Sequence, residues 1–312
     1  MAHLETEEIV HSRWGRCVRL SNGAVDLLAT LDFGPRIIRF GAVGGVNEFY
    51  EDERDFSNEK QESRFDVFGN KGNFHIYGGH RLWTGPEIIP RTIYPDNEPV
   101  MYTVIENGIR LTPPPQVWNG VQMEIDLVMD DDNRVEVTHK ITNLNPWEIE
   151  FAPWALTAMQ SGGLEVIPQN NSDTGLLHNR VITLWPYTDI NDSRVNWGDD
   201  FITLRPTSSS DSAFKIGTNN VHGFAAYFNH GNLFVKKYQP VDGGVYPDGG
   251  VSYETYTKKN MVELETLGEL KRYQPGETAV HTETWQLFLN VSEPESREEI
   301  REAMEEYMSK TV

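Results

Sequence analysis

Two glutamates in the run 261–267, Glu263 and Glu265, have the residue type and spacing of an acid–base pair. If the run is a β-strand, its alternation places both side chains on one face, about 6–7 Å apart. Each carboxylate then tends to raise the pKa of the other, which favours proton transfer near neutral pH. Asp248 and Glu254 lie upstream, where a turn could bring them alongside. The alternative is an amphipathic strand with an ordinary solvated face.

The densest group of chemically active side chains lies in the segment 77–87, and a short polar motif follows at 94–97. The paired glycines at 78 and 79 predict a backbone that can approach a ligand closely. The group combines an aromatic ring that can stack on a sugar with polar groups that can bind hydroxyls: His80, Arg81, Trp83, Glu87, Asp96 and Asn97. This combination is typical of a carbohydrate site. The alternative is an arginine–glutamate pair that holds a loop, with Trp83 in the core.

Five further residues have less specific interpretations. Trp154 is either a stacking platform or core filler. Lys236 and Lys237 are adjacent on a predicted strand and therefore point to opposite faces, so one of them can face inward. An inward lysine is either an ion-pair partner or a Schiff-base nucleophile, and in an acidic protein the ion pair is favoured. His139 lies in an alternating strand and is interpreted as structural, whereas His178 lies in a polar loop and has no assigned role.

Short apolar and β-branched runs separated by glycine and proline predict strands up to about residue 290. The clearest pair is 121–129 and 135–144, which flank the polar turn 130–133. Further strands are predicted at 25–30, 36–43, 151–159, 181–185, 224–228, 233–238, 261–267 and 282–289. No alternation of strands with helices occurs, which argues against Rossmann and TIM-barrel architectures. The sequence therefore predicts an all-β fold.

The end of the chain has a helical pattern instead. Ser292 and Glu295 have the spacing of a capping box, and the apolar side chains Ile300, Met304, Tyr307 and Met308 fall on one helical face. We expect a single β-domain over 1–290 and a C-terminal helix over 291–312 that packs on it.

Composition excludes several classes of partner. The 312 residues contain 27 Lys+Arg and 47 Asp+Glu, a formal net charge of −20. Nucleic acids and anionic membranes are poor partners for such a chain, because binding them requires clustered cations. The single cysteine, Cys17, excludes an intrachain disulfide framework. The first residues contain no apolar targeting segment, so a cytoplasmic location is expected.

Known cofactor motifs are missing from the sequence. It contains no phosphate-binding glycine loop, no dinucleotide fingerprint and no H-E-x-x-H zinc motif. We therefore predict no cofactor and no required metal. One alternative stays open, in which an ion binds an acidic face formed by Asp96, Asp248, Glu254 and the Glu263/Glu265 pair.

Taken together, several motifs resemble the galactose-mutarotase-like superfamily, and within it a branch of aldose 1-epimerase relatives. The likeness spans roughly residues 15–290 and is carried by Gly78-Gly79-His80-Arg81-Leu82-Trp83 with Pro86-Glu87, Ile141-Thr142-Asn143, Ala152-Pro153-Trp154-Ala155-Leu156-Thr157, Val262-Glu263-Leu264-Glu265-Thr266-Leu267-Gly268 and Gln274-Pro275-Gly276-Glu277. The resemblance implies a β-supersandwich of antiparallel strands whose concave face holds a carbohydrate.

The resemblance also implies roles for individual residues. In the aldose epimerases a glutamate on a late strand takes the proton of the anomeric hydroxyl, and a histidine protonates the ring oxygen. Carried over, Glu265 or Glu263 is the base, with Glu265 preferred, and His80 matches a sugar-binding histidine beside Arg81. The chain departs from the family where the acid histidine is expected, because Pro153-Trp154-Ala155 stands there. Either His80 or another residue such as His178 supplies the acid, or the protein is not a mutarotase.

The leading hypothesis is thus an isomerase that interconverts anomers or epimers of a sugar without a cofactor. The alternatives are a carbohydrate-binding protein without turnover, and a lyase or glycoside-processing enzyme on the same fold. Trp83, Glu87, Asp96, Asn97, Trp154, Lys236, Asp248 and Glu254 are the expected substrate-binding residues, with Arg81. The acidic composition favours a neutral sugar over a phosphate or uronate. A monomer or a homodimer is expected.

Overall fold

Two large antiparallel sheets face each other across a shared apolar core in the computed structural model, which describes residues 4–311. Their strands are β1 (Glu5–His11), β2 (Gly15–Ser21), β3 (Val25–Thr30), β4 (Ile37–Ala42), β5 (Gly79–Gly85), β6 (Met101–Ile105), β7 (Gly108–Thr112), β8 (Val121–Met129), β9 (Arg134–Asn143), β10 (Ile149–Gln160), β11 (Leu164–Pro168), β12 (Ile182–Leu184), β13 (Val195–Trp197), β14 (Phe201–Leu204), β15 (Phe214–Thr218), β16 (Phe224–Asn229), β17 (Asn232–Tyr238), β18 (Tyr253–Lys258), β19 (Met261–Leu267), β20 (Lys271–Tyr273) and β21 (Thr278–Phe288). A short 3₁₀ helix, Ser63–Phe68, and one α-helix, α1 (Arg297–Lys310), complete the described elements. The expected all-β sandwich with a C-terminal helix is confirmed.

The strand order places the longest strand of each sheet near its centre, β10 in the first sheet and β21 in the second. The first sheet runs β1-β2-β3-β4-β5-β10-β19-β18-β15-β12, and β20 pairs with the beginning of β10. The second sheet runs β13-β14-β11-β16-β17-β21-β9-β8-β7-β6. The hairpin predicted around the turn 130–133 forms as β8 and β9, because alternating apolar side chains bury one face of each strand.

The core between the sheets is aromatic at its centre. Trp285 on the second sheet contacts Phe40 and Phe49 on the first, with ring centroids 6.2 and 5.5 Å apart, and Phe234 joins the same group. All four side chains are fully buried or nearly so. Burial of side chains of this size contributes roughly 1.5–3 kcal/mol each to stability. These contacts hold the two sheets at a fixed separation. The outer face of each sheet lies on the side away from this core.

The C-terminal helix covers the outer face of the second sheet. Ile300 and Met304 are buried against a cluster on β11, β16 and β17, and Tyr307 and Met308 pack at its margin, as the helical pattern predicted. The predicted capping box at Ser292 is wrong. The cap is Ser296, whose Oγ accepts a hydrogen bond from Glu299 N at 3.2 Å. The same pattern, Ser296 followed by Glu299, recurs there. A helix capped at Ser292 would require helical dihedral angles at Glu293, which the following Pro294 disfavours.

The paired glycines before β5 serve the backbone of the protein itself. Gly78 and Gly79 have φ of 112° and 62°, and a Cβ on either would lie 2.0 Å from a carbonyl oxygen, of Tyr50 and Ile37 respectively. The expectation that they bring the backbone close to a ligand is thus replaced by close approach of neighbouring chain segments. Their effect is to fix the register in which β5 enters the first sheet.

Among the described residues, no helix has both the length and the apolar character needed to cross a membrane. Residues 1–3 and 312, which belong to the predicted ranges 1–290 and 291–312, lie outside the described part of the chain.

Candidate active site on the outer face of the first sheet

Five charged side chains meet on the outer face of the first sheet, opposite the core. The register of β5, β10, β19 and β18 places Arg81, Glu265 and Glu254 in one row across the strands. Glu263 on β19 and Lys215 on β15 lie in the next row on the same face. Each of the five is at most 5% exposed. We call this group the outer-face site. Glu263 and Glu265 share one face of β19, as the alternation of a strand predicted.

Ion pairs connect the five residues. Arg81 Nη2 lies 2.9 Å from Glu263 Oε1. Lys215 Nζ lies between two carboxylates, 2.7 Å from Glu254 Oε2 and 2.9 Å from Glu265 Oε2. Three carboxylates thus face two cations in a buried place, and with all groups ionised the site carries one excess negative charge.

Aromatic rings form the wall of the outer-face site. The guanidinium of Arg81 lies 4.3 Å from the ring centroid of Trp83, and Trp83 packs edge-to-face on Trp154 at 5.3 Å. Lys215 Nζ lies between the rings of Trp154 and Trp185, at 4.6 and 4.7 Å. Trp154 also donates its indole N–H to Glu265 Oε2 at 2.9 Å. Trp154 is therefore both a wall and a hydrogen-bond donor of the site, which extends the two interpretations that the sequence left open.

The outer-face site has polar atoms without partners. In residues 4–311, eleven buried side-chain nitrogen or oxygen atoms have no hydrogen-bond partner, and six of them belong to this site. They are Arg81 Nε and Nη1, both carboxyl oxygens of Glu254, Glu263 Oε1 and Glu265 Oε1. Two of them, Glu254 Oε2 and Glu263 Oε1, lie at ion-pair distance from a cation but without the alignment of a hydrogen bond. An unpartnered buried polar atom costs roughly 1–3 kcal/mol. A polar ligand or a water molecule placed on this face would complete the missing hydrogen bonds.

Burial and charge set the protonation of the site. Burial raises the pKa of Glu254 well above its ordinary value, with Lys215 opposing the shift. Burial also raises the pKa of Glu263, against the opposing charge of Arg81. For Lys215, burial alone would lower the pKa, but Glu265 and Glu254 together raise it, so the ammonium stays charged. A proton on Glu254 would remove the excess negative charge around Lys215.

Lys215 and Trp185 were not predicted from the sequence. Lys215 follows Phe214 and precedes Ile216 and Gly217 in a short strand whose residues are all buried. A single lysine inside an otherwise apolar strand was the signal that could have found it. Thr188 holds the loop that carries Trp185 over this strand, because its Oγ1 donates to Lys215 O at 2.5 Å.

Two predicted site residues lie on the opposite side of the first sheet. His80 and Lys236 both point into the core, so the structure does not bring either of them together with Glu265 on the outer face. His80 precedes Arg81 on β5, and the alternation of a strand separates the two side chains by the thickness of the sheet. Lys236 is the inward lysine that the sequence anticipated, and it pairs with Glu283 at 2.8 Å. The lysine of the outer-face site is Lys215 instead.

The buried polar groups between the sheets form what we call the interior network: His80, His139, His281, Thr266, Glu283 and Lys236. His80 Nε2 lies 2.7 Å from His139 Nε2, and His139 Nδ1 lies 2.9 Å from the carbonyl oxygen of His281. A carbonyl only accepts, so His139 carries its proton on Nδ1. Burial lowers the pKa of both imidazoles and keeps them neutral. We therefore assign His80 Nε2 as the donor to His139 and Thr157 Oγ1 as the donor to His80 Nδ1 at 2.8 Å.

The other half of the interior network is also paired. His281 Nε2 lies 2.7 Å from Thr266 Oγ1, which in turn donates to Glu283. Trp285 Nε1 donates to the second oxygen of Glu283 at 2.8 Å, and Lys236 Nζ donates to Leu264 O at 2.9 Å.

Ligand atoms of His80, His139 and Glu283 lie within 4.8 Å of one another, the spacing of a metal site among the described residues. These atoms already hydrogen-bond to protein partners, and the ammonium of Lys236 lies against Glu283. The arrangement therefore fits a hydrogen-bond network better than a cation site. Within residues 4–311, the acidic residues of the outer face do not form such a group.

The remaining predicted residues lie around the site or away from it. Asp96 forms an ion pair with the fully buried Arg36, and Asn97 Nδ2 donates to Lys71 O and Asn73 O at 3.0 and 2.8 Å. Both stabilise the loop beside β5, and neither contacts the five charged residues. Glu87 is exposed, and Asp248 adds a minor negative charge near Glu254 from the turn before β18.

Histidines other than those in the interior network also lie apart from the site. His178 is exposed in its loop. His75 packs on Phe56, and His230 contacts Glu48. Within residues 4–311, no histidine forms a hydrogen bond or an ion pair with the five charged residues of the outer-face site.

No protein-family model matches the sequence, and a search of curated proteins found no match. Solved structures do match. A galactose mutarotase-like protein from Clostridium acetobutylicum is 11% identical, with a TM-score of 0.55 over 91% of this chain and 98% of that protein. Galactose 1-epimerase from Lactobacillus acidophilus NCFM is 10% identical, with a TM-score of 0.50 over 91% of this chain and 99% of that enzyme.

A third similar structure is a TPR-domain containing protein from Parabacteroides distasonis. It is 13% identical, with a TM-score of 0.55, and the match covers 90% of this chain but 49% of the other. This chain therefore spans about half the length of that protein. At such identities the similarity shows the fold alone, which is that of the galactose mutarotase-like sandwiches.

Proposed function

We propose that this galactose mutarotase-like sandwich acts on a carbohydrate, as an isomerase that opens and recloses the ring of a free sugar. The substrate lies on the outer-face site, its apolar face against Trp83 and Trp154 and its hydroxyls towards Arg81 and the glutamates. We expect a neutral sugar, because Arg81 and Lys215 already pair with glutamates and leave no cation of the site free for an anionic group. The fold and the concentration of unpartnered polar atoms on this face support the proposal.

Glu265 is the base in this proposal. Its Oε2 accepts hydrogen bonds from Trp154 Nε1 and Lys215 Nζ, each at 2.9 Å, which fixes the carboxylate in one orientation. Its Oε1 is buried and has no partner. A carboxylate held by one oxygen with the other oxygen free is positioned to accept the proton of an anomeric hydroxyl. This single observation carries the assignment of Glu265 over Glu263, whose unaligned Oε1 is instead the atom nearest Arg81.

The first prediction concerns turnover by the Glu265→Gln variant. We expect the catalysed rate of anomer exchange to fall by about 10²–10⁴-fold, since that is the usual contribution of general acid–base catalysis. Exchange spectroscopy on a panel of free sugars measures the rate, with Glu263→Gln as the matched variant on the same strand. If the wild-type protein leaves the exchange rate of every sugar at the level of buffer, the isomerase proposal is refuted.

A second candidate function is sugar binding without turnover. It is favoured by one observation, that each carboxylate of the site lies in contact with a buried cation, which weakens a base. Calorimetry distinguishes the two. Heat of binding for a sugar whose anomers exchange no faster than in buffer would establish the binding protein.

A further inference from the structure

We propose that Glu254 is the catalytic acid of the outer-face site and takes the place of the missing histidine. This inference rests on the proposed isomerase function and adds a residue to it. Opening of the ring requires a proton at the ring oxygen while the base removes one from the anomeric hydroxyl. Both oxygens are bonded to the same anomeric carbon, so the acid and the base must be close neighbours.

Glu254 satisfies this requirement through the sheet register. It is the direct cross-strand partner of Glu265, and such partners have Cβ atoms about 4.5–5.5 Å apart on the same face. Glu254 is fully buried, and neither of its oxygens has an aligned hydrogen-bond partner. Glu265, in contrast, accepts two hydrogen bonds that stabilise a negative carboxylate. The two neighbours thus differ: two donors hold Glu265 in one orientation, whereas Glu254 has no aligned donor and its charged form is disfavoured by burial.

Lys215 lies beside both glutamates, so the net charge around it stays the same when Glu265 takes up a proton and Glu254 gives one away. The ammonium contacts both carboxyl groups. In the ring-opening step Glu265 takes the proton from the hydroxyl on the anomeric carbon, the bond from that carbon to the ring oxygen breaks, and Glu254 gives its proton to the ring oxygen. The product is the open-chain aldehyde. One proton is shared between the two glutamates before and after the step, so the net charge of this buried group does not change.

Ring closure returns both protons. After rotation about the bond between the anomeric carbon and its neighbour, the ring hydroxyl attacks the other face of the aldehyde. Glu254 takes the hydroxyl proton, and Glu265 protonates the new anomeric oxygen. The site regains its starting state without a cofactor or a metal.

The groups that face Glu254 determine its titration. They are Lys215 on β15, Glu265 on β19 and Asp248 in the preceding turn. Glu263, Tyr256 and Tyr187 interact in turn with Glu265 or Lys215. Burial raises the pKa of Glu254, and the negative charges of Glu265 and Asp248 act in the same direction. Activity should therefore fall on the alkaline side as Glu254 loses its proton.

The pH profile of Glu254→Gln tests the inference. We expect kcat to fall by about 10²-fold or more, with KM changed less than threefold, and the alkaline decline of the wild-type profile to disappear. Glu254→Asp, which keeps an ionisable carboxyl group, should recover part of kcat together with the alkaline decline. Glu165→Gln is the matched control, because Glu165 is an equally buried glutamate that faces the core and hydrogen-bonds to Tyr253 and Thr255.

The outcomes separate this inference from the proposed function. A Glu254→Gln variant that keeps the wild-type kcat and pH profile, while Glu265→Gln loses activity, overturns the role of Glu254 and leaves the isomerase in place. A wild-type protein that exchanges no sugar overturns both. If Glu254→Gln does not fold, a Glu254→Asp variant with wild-type kcat and no alkaline decline likewise overturns the assignment.

Discussion

The protein has two buried clusters of charged and polar side chains on opposite sides of one sheet. The interior network and the outer-face site both contain glutamate and a lysine, and they adjoin along β5 and β19, where His80 precedes Arg81 and Thr266 follows Glu265. They differ in hydrogen bonding. Glu283 accepts from Thr266, Trp285 and Lys236, whereas the outer-face site has six atoms without partners.

We interpret this difference in hydrogen bonding as the difference between a cluster that stabilises the fold and a cluster that binds a ligand. A buried charge whose lone pairs are all occupied contributes to a unique packing of the two sheets. A buried charged group whose polar atoms lack hydrogen-bond partners lowers the stability of the folded state, and such positions are typical of ligand sites. Identical substitutions of glutamate by glutamine should therefore have opposite consequences in the two clusters.

The largest effect on stability is expected for Glu283→Gln in the interior network. The change leaves the fully buried ammonium of Lys236 without its counter-charge, and loss of one partner of a buried pair costs about 3–5 kcal/mol. Urea unfolding monitored by tryptophan fluorescence measures the free energy of unfolding. A loss below about 1 kcal/mol would contradict the structural role of the network.

The second effect is the acid sensitivity that His281 causes. Burial lowers its pKa to about 3, from 6.5 in an unfolded chain, so the folded state cannot take up the proton that the unfolded state binds below pH 6.5. The contribution of His281 to stability is therefore complete above pH 6.5 and decreases towards pH 3. The free energy of unfolding of His281→Gln, relative to the wild type, should rise by roughly 2–3 kcal/mol between pH 6.5 and pH 4.5. Parallel pH dependences of the two proteins would refute this role.

The smallest effect on stability is expected for Glu254→Gln in the outer-face site. The substitution removes a carboxyl group whose charged form is disfavoured by burial, and Lys215 keeps Glu265 as its counter-charge. We expect the free energy of unfolding at pH 7 to change by less than about 1 kcal/mol, or to increase. The two variants should be measured side by side. If Glu254→Gln loses as much free energy of unfolding as Glu283→Gln does, the distinction between the two clusters is refuted.

Much of the fold followed from local sequence patterns. The β8–β9 hairpin and the position of β3 (Val25–Thr30) were predictable because apolar alternation and turn residues act over short distances. The strand order was not predictable in this way. The pairing of β5 with β10 and of β10 with β19 joins segments far apart in the chain, and only the complete sheet fixes it.

The part of the candidate site that depends on the alternation of side chains along one strand was predictable. The shared face of Glu263 and Glu265 is a property of one strand. Which face of β5 carries the outer-face site depends on how the strand pairs with β10, so the sequence could not separate His80 from Arg81. Lys215 escaped prediction because its role arises from a strand neighbour, Glu254, that is distant from it in sequence.

The register of β5 makes chain length before residue 80 a determinant of chemistry. Gly78 and Gly79 fit against the carbonyl oxygens of Tyr50 and Ile37, and the residues that follow alternate between the core and the outer face. Insertion or deletion of a single residue between that point and Leu82 would exchange the two sets of side chains. The imidazole of His80 would then point into the outer-face site and the guanidinium of Arg81 into the interior network. A substitution in this strand therefore changes one side chain on one face, whereas a change of length alters the interior network and the outer-face site together.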